Sequence, residues 1–251
     1  MRYFVQFSYL GTDFHGSQTQ PNGVTVQEVL EKAFFTLLRH EVPLTFAGRT
    51  DAGVHAEQMF AHFDLDESEV WDDAKAQMFC ARLNNLLPSS VAVARLFPVE
   101  EDAHARFSAT ARTYQYRLVT HKSPFLFGKV ARVADGLDFQ AMNQAATLLL
   151  GRHDFASFCK VHTDVKTTFC EVSQAQWNSY TDGTAVFTIT ADRFLRNMVR
   201  AVVGTLLDVG RGKLSQEDFR NIIAQKNRCA AGQSAPAEGL YLTHVAYPFL
   251  P

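Results

Sequence analysis

Trp177-Asn178-Ser179-Tyr180-Thr181-Asp182-Gly183-Thr184-Ala185-Val186-Phe187 decides the fold class, because Thr181-Asp182-Gly183 is a tight-turn signal set between two strand-forming runs. Asp tolerates turn dihedrals and bonds its own backbone, and Gly accepts positive φ. The flanking segments, 167–180 and 184–191, therefore read as one antiparallel hairpin. Immediately downstream, Leu195, Met198, Val199, Val202, Val203, Leu206 and Leu207 recur at helical spacing before Gly210. This stripe predicts a helix over 194–209 that packs against the hairpin's sheet. Hairpins mixed with helices indicate an α+β chain with a mainly antiparallel sheet.

Working towards the N-terminus, a strand is expected over 112–120 and a helix over 138–150, stopped by Gly151. The first part of the chain shows a comparable scheme. A strand over 2–9 runs into a Gly/Pro/Gln-rich loop from Gly11 to Gly23. A helix then starts at Thr25, which with Glu28 has the pattern of a capping box ahead of Val26, Val29, Leu30, Ala33, Phe34, Leu37 and Leu38. Further strands are expected over 58–64 and 91–97, with a helix over 72–86 between them. Strands crossed by two helices read as a split βαβ layer. The expected architecture is two pseudo-equivalent split-βαβ, ferredoxin-like halves, residues 1–103 and 104–251, with a central catalytic cleft.

Composition is that of an ordinary globular protein, 47% hydrophobic and 20% charged, which excludes disordered and fibrous classes. The N-terminus lacks a long apolar run or cleavage site, so neither signal peptide nor membrane span is expected. Cys80, Cys159, Cys170 and Cys229 have no paired spacing, which fits free thiols in the cytoplasm. The net charge of −2 argues against a uniformly basic nucleic-acid binder. Its distribution is uneven: residues 1–103 hold seven Lys/Arg against fifteen Asp/Glu, a balance of −8, whereas 104–251 hold 17 against 11, a balance of +6. The basic half can face phosphates, or its charge can serve solvation alone.

The chemistry is sought first at Phe46-Ala47-Gly48-Arg49-Thr50-Asp51-Ala52-Gly53-Val54-His55-Ala56, where one carboxylate sits between Arg49 and a glycine. Read by itself, Thr50-Asp51-Ala52-Gly53 is an ordinary turn. Gly48 and Gly53 have phosphate-loop spacing, but Val54 and His55 stand where Lys and Ser/Thr belong, which disfavours a nucleotide site. His15, His55 and His62 lie near Asp51 in sequence, yet no His-x-x-x-His pair supports a metal, and none is expected.

Three further blocks accompany that loop: His104 to Tyr116, Arg196 to Gly204, and Ala235 to Leu242. In this order the four blocks resemble the TruA family of tRNA pseudouridine synthases over nearly the whole chain. The resemblance implies isomerisation of uridine to pseudouridine in the tRNA anticodon stem-loop, at tRNA positions 38–40, with no cofactor or metal and as a homodimer. By that match Asp51 is the nucleophile, attacking ribose C1′ or base C6, and Arg200 pairs with its carboxylate. Tyr114 stacks on the target ring and helps remove the C5 proton. Without the match, Arg200 reads as a solvated helix residue and Tyr114 as core packing. Arg49 either fills the space of the flipped base or makes a loop salt bridge. Arg106 and Arg196, with Arg112, Arg117 and Arg193, either track phosphates or are surface charge.

The chain departs from the family pattern at Tyr9-Leu10-Gly11, at Gly16-Ser17 without a following tryptophan, and at Leu195-Arg196-Asn197 where relatives carry histidines. The first loop is expected to touch RNA, so substrate choice is where these departures bear. The alternative function is an RNA-binding or RNA-folding module that keeps the fold without turnover.

Overall fold

The computed structural model describes residues 1–66, 71–160 and 166–250. In chain order the elements are β1 (Arg2–Tyr9), α1 (Val26–Leu38), β2 (Thr45–Phe46), β3 (His55–Asp64), α2 (Asp73–Leu86), β4 (Val91–Val99), β5 (Ala111–Val119), β6 (Ala131–Arg132), α3 (Phe139–Ala146), β7 (Gly151–Asp154), β8 (Phe169–Ser179), β9 (Thr184–Ala191), α4 (Met198–Gly210), α5 (Gln216–Gln225) and β10 (Leu240–Ala246). The class is α+β with mainly antiparallel pairing, and the short β5–β6 ladder is parallel. Two compact units are present: Met1–Thr110 with the C-terminal segment from Leu242, and Ala111–Tyr241.

In the first unit the strand order is β4-β1-β3-β10, with β2 paired to β3. Strand β1 is antiparallel to both neighbours, Val5 facing Ala61 on one side and Leu96 on the other. Both faces of β1 are covered, so Tyr3, Phe4, Val5 and Phe7 are all buried. Tyr3 and Phe63 join Phe34, Trp71 and Phe79 in one aromatic cluster, while Phe4 meets Tyr247 edge-on at 5.3 Å. Each such ring removed from water contributes about 1.5–3 kcal/mol. Helix α1 begins where the capping pattern places it, with the Thr25 side chain accepting from the Glu28 N–H at 3.3 Å.

In the second unit the order is β5-β9-β8-β7. The hairpin turn closes as the sequence predicts: Gly183 has φ +78°, and Asp182 accepts from the Thr184 N–H at 2.9 Å. Helix α4 is buried at every residue except Arg200 and Asp208. It starts at Met198 rather than 194, because Asn197 stands in the left-handed region at φ +65° and breaks the helical path. Leu195 keeps its buried place on a preceding turn, where its carbonyl accepts from the Met198 N–H at 3.1 Å. Helix α3 gives way after Ala146 to a 3-10 turn, and Gly151 at φ +90° opens β7. Four elements absent from the sequence reading are β6, β7, α5 and β10; α5 carries a complete capping box between Ser215 and Asp218. The four cysteines are free, and burial pushes the Cys170 thiol up to about 12. Among the described residues no helix is long and apolar enough to cross a membrane.

Candidate active site

The Asp51 loop joins β2 to β3 and is anchored from the loop that follows β1. Buried Thr50 exchanges a 2.8 Å hydrogen bond with the Tyr9 hydroxyl, and its N–H donates to the Oγ of fully buried Ser17 at 2.8 Å. In return the Ser17 N–H donates to the Thr50 carbonyl at 3.2 Å. The turn closes through the Val54 N–H on the Asp51 carbonyl at 3.1 Å, with Gly53 at φ +79° donating to the Phe14 carbonyl at 3.3 Å.

Two glycines of the first loop make this approach feasible. A Cβ on Gly11 would lie 2.0 Å from the Val54 carbonyl oxygen, far inside contact distance. Gly16 has φ +96°, and a Cβ there would lie 2.9 Å from the Thr50 carbonyl oxygen. The Gly11 N–H also donates to Nδ1 of fully buried His55 at 2.9 Å. Sequence reasoning assigned this loop to RNA contact; its glycines and serine brace the carboxylate-bearing turn. The signal was present as glycine spacing, but the partner backbone lies some forty residues away in sequence.

Asp51 itself is half-buried, and Arg49 is exposed, its Nε donating to Gln18 Oε1. Arg49 thus meets a neutral side chain of the first loop. His55 and His62 are engaged structurally, His62 Nδ1 accepting from the Ala105 N–H at 3.2 Å. Burial, then the neighbouring charges of Arg2 and His104, push His62 down to about 4, so its ring is neutral at physiological pH. Arg106 is exposed on the turn 104–108, its guanidinium 5.5 Å from the ring of exposed Phe107.

In the second unit, β5 presents Tyr114 opposite Ile189, with its ring edge-on to Phe194 at 5.1 Å. Strand alternation puts Tyr114 and Tyr116 on one face. Tyr116 is fully buried, donates to the Pro236 carbonyl at 3.0 Å, and has its hydroxyl pKa raised by burial against a lowering pull from Arg200. Arg200 Nε donates to the Ala235 carbonyl at 2.7 Å, and the Ala235 N–H returns a 2.9 Å bond to the Arg200 carbonyl. The chain passes this close to α4 because residue 204 is glycine: a Cβ there would lie 1.8 Å from the Gln233 carbonyl oxygen. Ser234 is held between Asn197 Nδ2 at 2.7 Å and an Arg228 amino group at 2.9 Å. Arg228 is a positioning residue that sequence reasoning missed, since nothing local marks it.

In the second unit Tyr116 and Arg200 meet residues 235–236, and Tyr114 packs on Phe194, while Asp51 and Arg49 belong to the first unit. The remaining arginines divide. Arg117 lies 4.1 Å over the Tyr241 ring and bonds Gln115 at 2.8 Å, and Arg112 donates to the Asp192 carbonyl at 2.9 Å. Arg193 gives its backbone N–H to Asp192 at 2.7 Å. Arg196 is exposed ahead of Asn197, its carbonyl accepting from the Lys160 N–H at 3.0 Å. Taken unit by unit, a carboxylate on an anchored turn suits nucleophilic chemistry, and a fixed guanidinium and a phenol suit anion binding and proton transfer.

A family model described as tRNA pseudouridine synthase matches residues 145–248. The tRNA pseudouridine synthase A of Bacteroides fragilis is 54% identical, with 98% of this chain and 96% of the relative covered. That of Parabacteroides distasonis is 51% identical over 98% of this chain and 96% of the relative, and that of Bacillus subtilis 39% identical over 98% and 99%.

Proposed function

Because the chain belongs to the tRNA pseudouridine synthase A family, an isomerase family, we propose that it converts uridine to pseudouridine in the tRNA anticodon stem-loop, at tRNA positions 38–40, with Asp51 as nucleophile. The observation that carries this reading is the anchoring of the Asp51 turn by Gly11, Gly16, Ser17 and the Thr50–Tyr9 bond. A half-buried carboxylate on a fixed turn loses little freedom when it attacks.

The target uridine leaves its stack to reach this carboxylate. Attack at ribose C1′ displaces the uracil through N1, the base turns, and C5 then bonds C1′ while the carboxylate leaves. Attack at C6 instead gives a base adduct; the C1′–N1 bond breaks, C5 bonds C1′, and loss of the C5 proton then expels the carboxylate from C6 and restores the ring double bond. On either route the C5 proton is lost and N1 gains one, so the reaction is an isomerisation with no net electron change. Arg200, its Nε fixed on Ala235, orients the Asp51 carboxylate and keeps it ionised during turnover. Tyr114 stacks on the detached ring and takes part in C5 deprotonation. Arg49 occupies the place of the flipped nucleotide, while Arg106 and Arg196, both exposed, bind phosphate.

The finer architecture is read as split-βαβ, ferredoxin-like halves, supported by β1 lying between β4 and β3 with α1 and α2 in the connections. The cytoplasm, where tRNA is found, is the proposed location, and a homodimer the proposed assembly. The non-catalytic RNA-binding alternative yields to family membership in an enzyme family. The test is tritium release from tRNA labelled at uridine C5, with wild type and Asp51→Ala side by side. Release by wild type alone supports the reading; equal release by both refutes Asp51 as nucleophile.

A further inference from the structure

Phe125 and Phe127 are the most exposed large apolar side chains among the described residues, at 88% and 87%. They stand on a turn that is not loose. Pro124 opens a 3-10 turn, the Leu126 N–H donates to the Ser123 carbonyl at 3.3 Å, and the Leu126 carbonyl accepts from Lys129 and Val130 at 3.1 and 3.2 Å. Gly128 at φ +70° turns the chain, and the Tyr241 hydroxyl clamps the Lys129 carbonyl at 2.5 Å. Two rings held out in water on a fixed backbone contribute nothing to the core, which points to a partner.

The charges around them select its chemistry. From Ala111 to Ala134 the chain carries Arg112, Arg117, Lys122, Lys129 and Arg132 and no carboxylate at all. Lys122 and Lys129, exposed and flanking the two phenylalanines in sequence, have no ion-pair partner among the described residues. The acid facing His121 is Asp182, and its carboxylate is already bonded to Thr184. Flat rings between free ammonium groups suit a polyanion with exposed bases. A second copy fits less well, because a two-fold contact sets the same patch against itself and opposes like charges.

We propose that Phe125 and Phe127 form a stacking platform for unpaired bases of the RNA substrate, with Lys122 and Lys129 holding the adjoining phosphates. The inference rests on the tRNA reading above and extends it to a surface outside the reacting residues. Tyr241 links the two: it braces Lys129 and lies in the block whose start, Ala235–Pro236, holds Arg200 and Tyr116.

The test measures tRNA binding by the full chain over a range of salt, beside a short single-stranded RNA and a duplex of equal length. Phe125→Ala with Phe127→Ala is expected to weaken tRNA and single-strand binding roughly 5- to 150-fold per stacked base, to leave duplex binding unchanged, and to keep the salt slope. Phe125→Tyr with Phe127→Tyr restores affinity, since the ring remains. Lys122→Ala with Lys129→Ala lowers the salt slope by about 1.5. Binding equal to wild type in the alanine pair overturns the platform, as does a drop in assembly mass by light scattering without loss of RNA affinity, which assigns the rings to a second copy. Wild type that binds tRNA through the platform yet releases no tritium contradicts the functional reading alone.

Discussion

Replacing Gly11 by alanine tests the claim that the first loop positions the Asp51 carboxylate. The added Cβ lies 2.0 Å from the Val54 carbonyl oxygen and 2.6 Å from its carbon, both backbone atoms that cannot rotate away. Restoring a contact of about 3.2 Å requires a movement of roughly 1 Å between the two loops. Because Val54 closes the Asp51 turn, that shift passes to the carboxylate. Overpacking of this size costs about 1–3 kcal/mol, which for a chain of this length lowers Tm by roughly 2–12 °C. A 1 Å misplacement of a reacting group costs about 100-fold in rate. The assays are thermal melting and single-turnover tritium release at saturating enzyme. Gly48→Ala is the stability control, since nothing lies within 4 Å of a Cβ there. A Gly11→Ala protein with wild-type Tm and single-turnover rate would refute the bracing argument.

Other expectations follow from the same geometry. Thr50→Val removes the 2.8 Å bond to the buried Tyr9 hydroxyl and should cost about 0.5–1.5 kcal/mol in urea unfolding, whereas Thr50→Ser should recover most of it. Arg200→Lys removes the planar donor to Ala235 and should lower kcat at least tenfold with less effect on tRNA Kd, read by parallel turnover and filter-binding assays. His62 has a folded pKa of about 4, below its unfolded value, so the unfolded chain binds the extra proton between those limits. The His62 contribution to stability should therefore fall as pH drops from about 6.5 to 4 and change no further below that. In His62→Gln the fall across that window should be shallower, measured by denaturant midpoints at each pH.

The hairpin and both long amphipathic helices were legible because their signals are local: Asp182-Gly183 allows one turn geometry, and the α1 and α4 stripes bury one pattern. The start of α4 was not, since Leu195 keeps the stripe in phase while Asn197 leaves the helical region, a choice set by tertiary bonds to Ser234. Helix α5 was overlooked because only Phe219 and Ile222 are buried in a polar ten-residue segment. Strand β10 was overlooked because Thr243 and His244 interrupt its apolar residues, although Pro236 and Gly239 punctuate the chain before it. The identity of Asp51, Tyr114 and Arg200 came from matching blocks rather than from periodicity. What no pattern disclosed is the close approach of distant backbone: Gly11 on Val54 and Gly204 on Gln233 are visible only once the chain is folded.

The central claim is that Asp51 performs the isomerisation. It is tested most directly by tritium release from C5-labelled tRNA with wild type and Asp51→Asn, alongside tRNA binding by both. The account predicts stoichiometric release by wild type and none by Asp51→Asn, with tRNA affinity retained within a few fold. Release by Asp51→Asn at a rate near wild type would contradict it.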